Sequence, residues 1–479
     1  MTTDPTADLR RAFYLLLGLA AVGAAAARVC GTELAFEPSR FAPPAGGYGL
    51  AGENRVLRPW PAERPEPTPF FYSNDRSRWA TVRALVDEGT YVIGRHTPDG
   101  DRGIVFEGDY ASIDKVRHPT TGAYYSSKPP LFATLVAGEY WLLKHALGWD
   151  IGRDRWPVAI AILLTWNVLP FAVYLVVLAR LLERHAATDF GRLFGFAVAA
   201  GGTFLVTFAP TLNNHTPGAV CTLFAVAPLL SGAPTRQGLL LGGFFAGFAV
   251  TFDLPAAALL GGLGGLVLLA CRWRAAWFAL GAAVPLLALL LTNYLAFGFV
   301  EPVYSRFDSA WYRYPGSHWS RIGTPAGRGI DFLHEPVWVY AFHVVLGHHG
   351  WFSLTPAWLV GLVGVWAAGR RPSGWLSAGW LARLTAAVTL VVVAFYLTRT
   401  DSRNYGGNSA CARWLVWLTP LWVLAAAAGA DALGRRRRGR WACGLALAAS
   451  AFSATYASWN PWRPPWPQQL LFTLGMIDY

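Results

Sequence analysis

The chain has 479 residues, of which 54% are hydrophobic and only 14% charged. That balance leaves too little polar surface to clothe an ordinary water-soluble domain, so the chain belongs in a membrane. A formal net charge of +12 invites a nucleic-acid reading, but the placement of the arginines argues for topology instead.

Apolar runs recur along the chain: Ala12 to Val29, Trp156 to Ala179, Leu193 to Pro210, Pro217 to Leu230, Leu239 to Phe252, Leu254 to Ala270, Trp277 to Phe297, Thr355 to Ala368, Leu384 to Leu397, Leu415 to Ala430 and Trp441 to Tyr456. Most approach the roughly 20 residues that a helix needs to cross about 30 Å of hydrocarbon. The expectation is an all-α polytopic membrane protein of about eleven transmembrane helices. With the amino end inside, the inward connections hold Arg10 and Arg11, then Arg180, Arg184 and Arg192, then Arg236, Arg272 and Arg274, then Arg370, Arg371 and Arg383, and lastly Arg435 to Arg438 and Arg440. Positive charge collects on the cytoplasmic side; the tetra-arginine run is then an anchor facing anionic lipid. Only the outward connection from Arg399 to Arg413 breaks the pattern.

The organisation expected along the chain is an amino-terminal anchor over 1–29, a first outer loop over 30–155 with interfacial helices, spans over 156–297, a second long outer loop over 298–354, spans over 355–457 and an outer tail over 458–479. The first run also has the layout of a secretory signal peptide ending near Cys30, an alternative to a retained anchor. Within the first loop, Arg40 to Pro69 is rich in proline and glycine. Asn74 to Glu88 has helical spacing, with Trp79, Val82 and Val86 on one face, as in a helix lying in the interface. Short strands follow, with turns at Asp99-Gly100 and Thr121-Gly122. The five cysteines form no metal-type spacing; a Cys30–Cys411 bridge is open, and small buried residues are the simpler reading. No internal repeat is visible.

Positive charge is written almost wholly as arginine. The only lysines, Lys115, Lys128 and Lys144, all fall in the first outer loop region. Two stretches there, "YSNDRSRWATVRALVDEGTYVI" and "YYSSKPPLFATLVAGEYWLL", resemble the GT-C class of membrane glycosyltransferases, which includes protein O-mannosyltransferases and the aminoarabinose transferases of lipid A. The resemblance covers the layout of about the first 220 residues. One departure is that many members pair two acids where this chain has Asn74-Asp75.

The resemblance implies a transferase, inverting at the anomeric carbon, that moves a sugar from a polyprenyl-phosphate donor to a lipid, glycan or protein hydroxyl on the outer face of the membrane; arginine in place of lysine, with abundant alanine and glycine, suggests a GC-rich bacterial genome and hence a bacterial plasma membrane. It implies Asp75 as catalytic base and Lys128 as a contact of the donor phosphate; Arg413, ahead of an apolar run, is a second phosphate candidate. Bland readings stand beside them: Asp75 as a helix cap, Lys128 and Arg413 as snorkelling side chains. Asp109 and Asp114 are candidates for orienting the acceptor or holding a metal, or for pairing with Lys115 and Arg117. His215 sits in "TLNNHTPG", a turn where resembling enzymes often carry a second acid and this chain has none. His348, His349 and Tyr405 are further substrate-binding candidates; adjacent histidines on a helix diverge, which argues against a shared metal. No cofactor is fixed, and a divalent metal ion stays open. The partners expected are the lipid-linked donor, the acceptor and membrane lipids, with no nucleic acid. The rival reading is a carrier or flippase of lipid-linked saccharides without transferase activity.

Overall fold

A computed structural model describes residues 5–31, 67–230, 234–325, 327, 329–370, 378–398 and 403–479. Most of the proline-rich stretch from Arg40 to Pro69, together with Arg371 and Arg399, lies outside the described residues. Helix α1 (Pro5–Gly31) is tied at its amino end. Arg10 is buried there, its Nε 3.1 Å from Glu183 Oε1 and its Nη1 2.8 Å from Asp189 Oδ1. Tyr14 donates to the same Glu183 oxygen at 2.8 Å.

The first long loop folds into α2 (Ser73–Asp87), four strands and α3 (Pro130–Leu147). Strands β1 (Gly94–Thr97), β2 (Gly100–Arg102), β3 (Lys115–Arg117) and β4 (Ala123–Ser126) form an antiparallel sheet in the order β2-β1-β4-β3. Thr97 stands opposite Gly100, Gly94 opposite Tyr124, and Val116 opposite Tyr125. Gly100 and Gly122 turn the chain at φ 116° and 68°, backbone that a side chain resists. The sheet corrects the all-α expectation, although the strands and both turns lie where the sequence puts them. A second correction concerns α2. Trp79 and Val82 are fully buried as the periodicity suggests, but so are Asn74, Asp75, Ser77, Arg78 and Thr81. The helix is enclosed by protein on both faces.

Helices α4 (Arg155–Leu163) and α5 (Leu169–His185) are joined by a π turn over Leu164–Val168. The wider turn aims Asn167 inward, where its Nδ2 donates to the carbonyls of Ala209 and Thr211 at 2.8 and 2.9 Å. Those carbonyls belong to the non-helical stretch between α6 (Asp189–Gly201) and α7 (His215–Leu230). Helices α8 (Arg236–Phe252), α9 (Ala257–Cys271) and α10 (Ala275–Phe297) complete the first half. In α8, Gly243 lets the backbone approach Phe278 of α10 where no Cβ would fit.

The second long loop carries short 3₁₀ turns and then α11 (Val337–Val345) and α12 (Trp351–Leu354). It packs on the sheet: the amide of Arg117 donates to Trp311 O at 2.9 Å and Trp319 Nε1 to Ile113 O at 3.2 Å. The two long loops are therefore one cap at one end of the bundle. Helices α13 (Ala357–Gly369), α14 (Ala378–Thr398), α15 (Thr419–Leu433), α16 (Arg437–Tyr456) and α17 (Trp466–Thr473) follow. Gly364 of α13 meets the Ala425 backbone of α15 in the same close manner.

Five helical stretches among the described residues are long and apolar enough to cross a membrane: Thr6–Gly31, Arg155–His185, Leu254–Phe297, Gly379–Thr398 and Arg413–Leu433. The expected number was about eleven. One of the five, Leu254–Phe297, holds both α9 and α10, and several other expected spans are shorter helices. The apolar run Leu193 to Pro210 is helical only to Gly201, so α6 with 13 residues reaches roughly 20 Å at 1.5 Å per residue. Helices α7 and α13 are likewise apolar but short, and α16 begins with Arg437, Arg438 and Arg440.

Candidate anion-binding site

The cap and the bundle meet at a cluster of buried charges. Asp75, near the start of α2, is fully buried and folds back to accept the amides of Phe71 at 2.8 Å and Tyr72 at 2.7 Å. The helix-cap role open in the sequence is therefore realised. Burial pushes its carboxyl up to about 6, against the pull of those amides.

One turn further, on the same side of the helix, lies Arg78, 2% exposed. Its Nη1 donates to Asn74 O at 2.8 Å and to Asn74 Oδ1 at 2.5 Å, and its Nη2 donates to Asn214 Oδ1 at 2.6 Å. Every one of these partners is neutral. Burial and the neighbouring Arg413 lower the guanidinium to about 10.

Lys128 ends the loop after β4, where Pro129 and Pro130 set the entry into α3. Its Nζ lies 2.7 Å from Asp114 Oδ1, both side chains largely buried. Burial pushes Lys128 down to about 8, Asp114 opposing while Arg413 and Arg78 add to the shift. Burial alone would raise Asp114, but Lys128, Arg413 and Arg78 outweigh it and hold the carboxyl below its usual range.

Arg413 enters from the stretch before α15. Its Nε donates to Gly406 O at 2.8 Å, its Nη1 stands 3.3 Å from His215 Nε2, and its guanidinium lies over the Trp462 ring at 5.3 Å. His215, the first residue of α7, places Nδ1 3.3 Å from Asp253 Oδ2 at the end of α8. Asn214 Nδ2 donates to Asp253 Oδ1 and to Phe252 O, each at 2.9 Å. The acid missing from the Asn213-Asn214-His215 turn is thus supplied by Asp253, carried there by the α7–α8 pairing.

Lys128, Asp114, Arg413 and His215 therefore come together, with Asp75 one turn from Arg78. Sequence reasoning missed Arg78, Asn214 and Asp253. Arg78 is separated from Asp75 by three positions, the spacing that puts two side chains on one helix face; that was the available signal. Among the described residues, neither Arg78 nor Arg413 has a carboxylate within ion-pair distance. A pocket beside the cluster is lined by Arg78, Lys128, Ser126 and Tyr125 together with the apolar Ala133 of α3 and Phe297 of α10. Asp75 and Arg413 do not line it.

The other candidates lie apart. Asp109 is paired with Arg155. The expected pairing of Asp114 with Lys115 or Arg117 is replaced by Lys128; Lys115 donates to Ser112 O and Arg117 covers the Tyr314 ring. His348 and His349 lie in a turn rather than on a helix and do not diverge: their Nδ1 atoms are 2.6 Å apart. His349 stacks on Tyr405 at 5.0 Å, and Tyr405 and Tyr479 both donate to Glu335. Among the described residues no group of three or more His, Cys, Asp or Glu side chains is placed to hold a metal ion. All five cysteines are free.

No protein-family model and no curated protein matches the chain. Solved structures do. ArnT from Cupriavidus metallidurans bound to undecaprenyl phosphate is similar at a TM-score of 0.48 and 14% identity, over 91% of this chain and 62% of that one. The Archaeoglobus fulgidus oligosaccharyltransferase in the apo form is similar at 0.47 and 14%, over 94% and 56%. AglB from Archaeoglobus fulgidus, in complex with an inhibitory peptide and a dolichol-phosphate, is similar at 0.46 and 12%, again over 94% and 56%. The chain spans less than two thirds of the length of these proteins.

Proposed function

We propose that the chain is an integral membrane glycosyltransferase that moves a sugar from a polyprenyl-phosphate donor to an acceptor hydroxyl outside a bacterial plasma membrane. One observation carries the reading. Arg78 is a buried and Arg413 a partly buried guanidinium group, each bonded only to neutral partners, beside the ammonium of Lys128. Guanidinium groups whose hydrogen bonds go only to neutral partners give these up readily for an anion, whose charge-assisted contacts are stronger. Lys128 exchanges Asp114 for a phosphate oxygen, and Arg78 and Arg413 take the others. The apolar wall of Ala133 and Phe297 gives the polyprenyl chain its exit between α3 and α10, whose outer faces expose Trp141, Leu142, Leu291 and Leu295 to lipid.

In the reaction the acceptor oxygen bonds to the anomeric carbon with inversion. The bond from that carbon to the phosphate oxygen breaks, its electron pair leaving on the lipid phosphate among the three cations. Asp75 takes the acceptor proton. An ionised carboxylate has about four lone-pair sites, and the Phe71 and Tyr72 amides occupy two of them.

The test uses the purified chain in lipid nanodiscs with radiolabelled polyprenyl-phosphate sugars and a panel of hydroxyl acceptors. Arg78→Ala and Lys128→Ala lose donor binding, while Asp75→Asn binds donor and loses transfer. Failure of the wild-type chain to transfer label from any donor, with donor translocation intact in wild type and Asp75→Asn, would replace this reading with a carrier.

A further inference from the structure

The cluster is already charge-balanced. Three cations, buried Arg78 and partly buried Lys128 and Arg413, face three buried carboxylates, Asp75, Asp114 and Asp253. Asp331, from the second long loop, stands beyond Arg413 as a further carboxylate. An entering phosphate diester would leave this enclosed space with an excess of negative charge, which low-dielectric surroundings penalise. A proton is the smallest charge that restores the balance.

The hydrogen bonds say where it goes. Asn214 spends both amide hydrogens on Phe252 O and Asp253 Oδ1, so the ring nitrogen of His215 facing Asp253 Oδ2 at 3.3 Å carries its own hydrogen and donates it. The other nitrogen, Nε2, is then a lone pair facing Arg413 Nη1 at 3.3 Å. A phosphate oxygen is the stronger acceptor for that guanidinium. Once Arg413 turns to it, Nε2 has lost its donor. A proton there produces an imidazolium held between Asp253 and the phosphate. Asp75 keeps its bonds to the Phe71 and Tyr72 amides whether or not Arg413 turns, so entry of the phosphate frees no lone pair on it. The charged groups around His215 are Asp253 at the end of α8, Arg413 from the stretch before α15 and Arg78 from α2, with Asp114 and Lys128 behind them.

We infer that the lipid phosphate enters together with a proton from solvent, and that Nε2 of His215 receives it. This rests on the reading of the cluster as the donor phosphate site. His215 then presents an N–H to the phosphate, adding a donor where the sequence resemblance led one to expect an acid.

The experiment is calorimetric titration of the chain in nanodiscs at pH 7.5 with the methyl diester of a polyprenyl phosphate, which carries one negative charge and no titrating group of its own near neutrality. The measurement is repeated in buffers of different ionisation enthalpy. The slope of observed heat against that enthalpy counts protons taken up. The wild-type slope should be close to one proton. Asp253→Asn, which removes one carboxylate while leaving His215 in place, should bind the probe with a slope near zero, and so should His215→Gln. Binding by wild type with zero slope overturns the inference and leaves the phosphate site standing. An undiminished slope in both variants also overturns it. Absence of binding by wild type removes the phosphate site itself, and the inference with it.

Discussion

The ammonium of Lys128 and the carboxylate of Asp114 stand 2.7 Å apart across the loop that joins the sheet to α3, with 16% and 12% of their side chains exposed. Breaking a buried pair on one side costs about 3–5 kcal/mol, whereas replacing both partners with apolar groups is often neutral. Asp114→Leu alone should therefore lower thermal stability in detergent, and Lys128→Met with Asp114→Leu should restore most of it. Donor binding should stay lost in the double variant. Recovery of binding together with stability would show that Lys128 serves the fold only.

Asp75 predicts a pH limb. Its folded-state value of about 6 lies above the model-peptide value of 3.8, so the base becomes competent as pH rises through about 6. Transfer, measured as kcat/KM, should rise across that window and be low and flat in Asp75→Asn. The stability sign is the opposite. A carboxyl raised on folding favours the protonated fold, so its contribution is complete below about pH 4 and is lost as pH rises through about 6, a change of about 3 kcal/mol at 1.36 kcal/mol per unit. Urea unfolding between pH 4 and 7 should show it; a stability that increases over that range through this residue would contradict the burial seen here.

Close backbone contact at glycine can be tested without touching charge. A Cβ at Gly364 would run into the Ala425 backbone, and one at Gly243 into that of Phe278. Gly364→Val and Gly243→Val should each destabilise the fold by about 1–3 kcal/mol or more, read as a lower unfolding midpoint. Gly261→Val is the control, since a Cβ there meets nothing within 4 Å.

Arg10 is the tie of α1 to the rest. Arg10→Ala leaves Glu183 and Asp189 without that guanidinium, and α1 should become more accessible to protease and to thiol reagents at an Ala12→Cys reporter. Unchanged reporter kinetics would mean that packing on α6 alone holds the helix.

Lys128 could be singled out from sequence because lysine is rare in this chain. Arg78 had only its three-residue spacing from Asp75 to mark it, because arginine is common and the α2 pattern places it among polar residues that would ordinarily face water. Enclosure of that helix by the sheet comes from strand pairings distant in sequence, which no local periodicity encodes. Asp253 looks like a helix end from its Leu254-Pro255 context, and it is one; its second role needs the return of α8 alongside α7. The count of about eleven spans is not confirmed for a related reason. Hydropathy sees the apolar character of 202–210 but not that its backbone is turned rather than helical.

That turned stretch depends on Asn167. Its amide covers the carbonyls of Ala209 and Thr211, which hydrocarbon would otherwise leave bare at a cost no membrane segment tolerates. Deleting a single residue between Leu164 and Val168 to regularise the helix would swing that amide away by about 100°. A stiffer, more ideal rod would then strip the solvation from the very segment on which His215 is perched, so the irregular register is what keeps the charged cluster assembled.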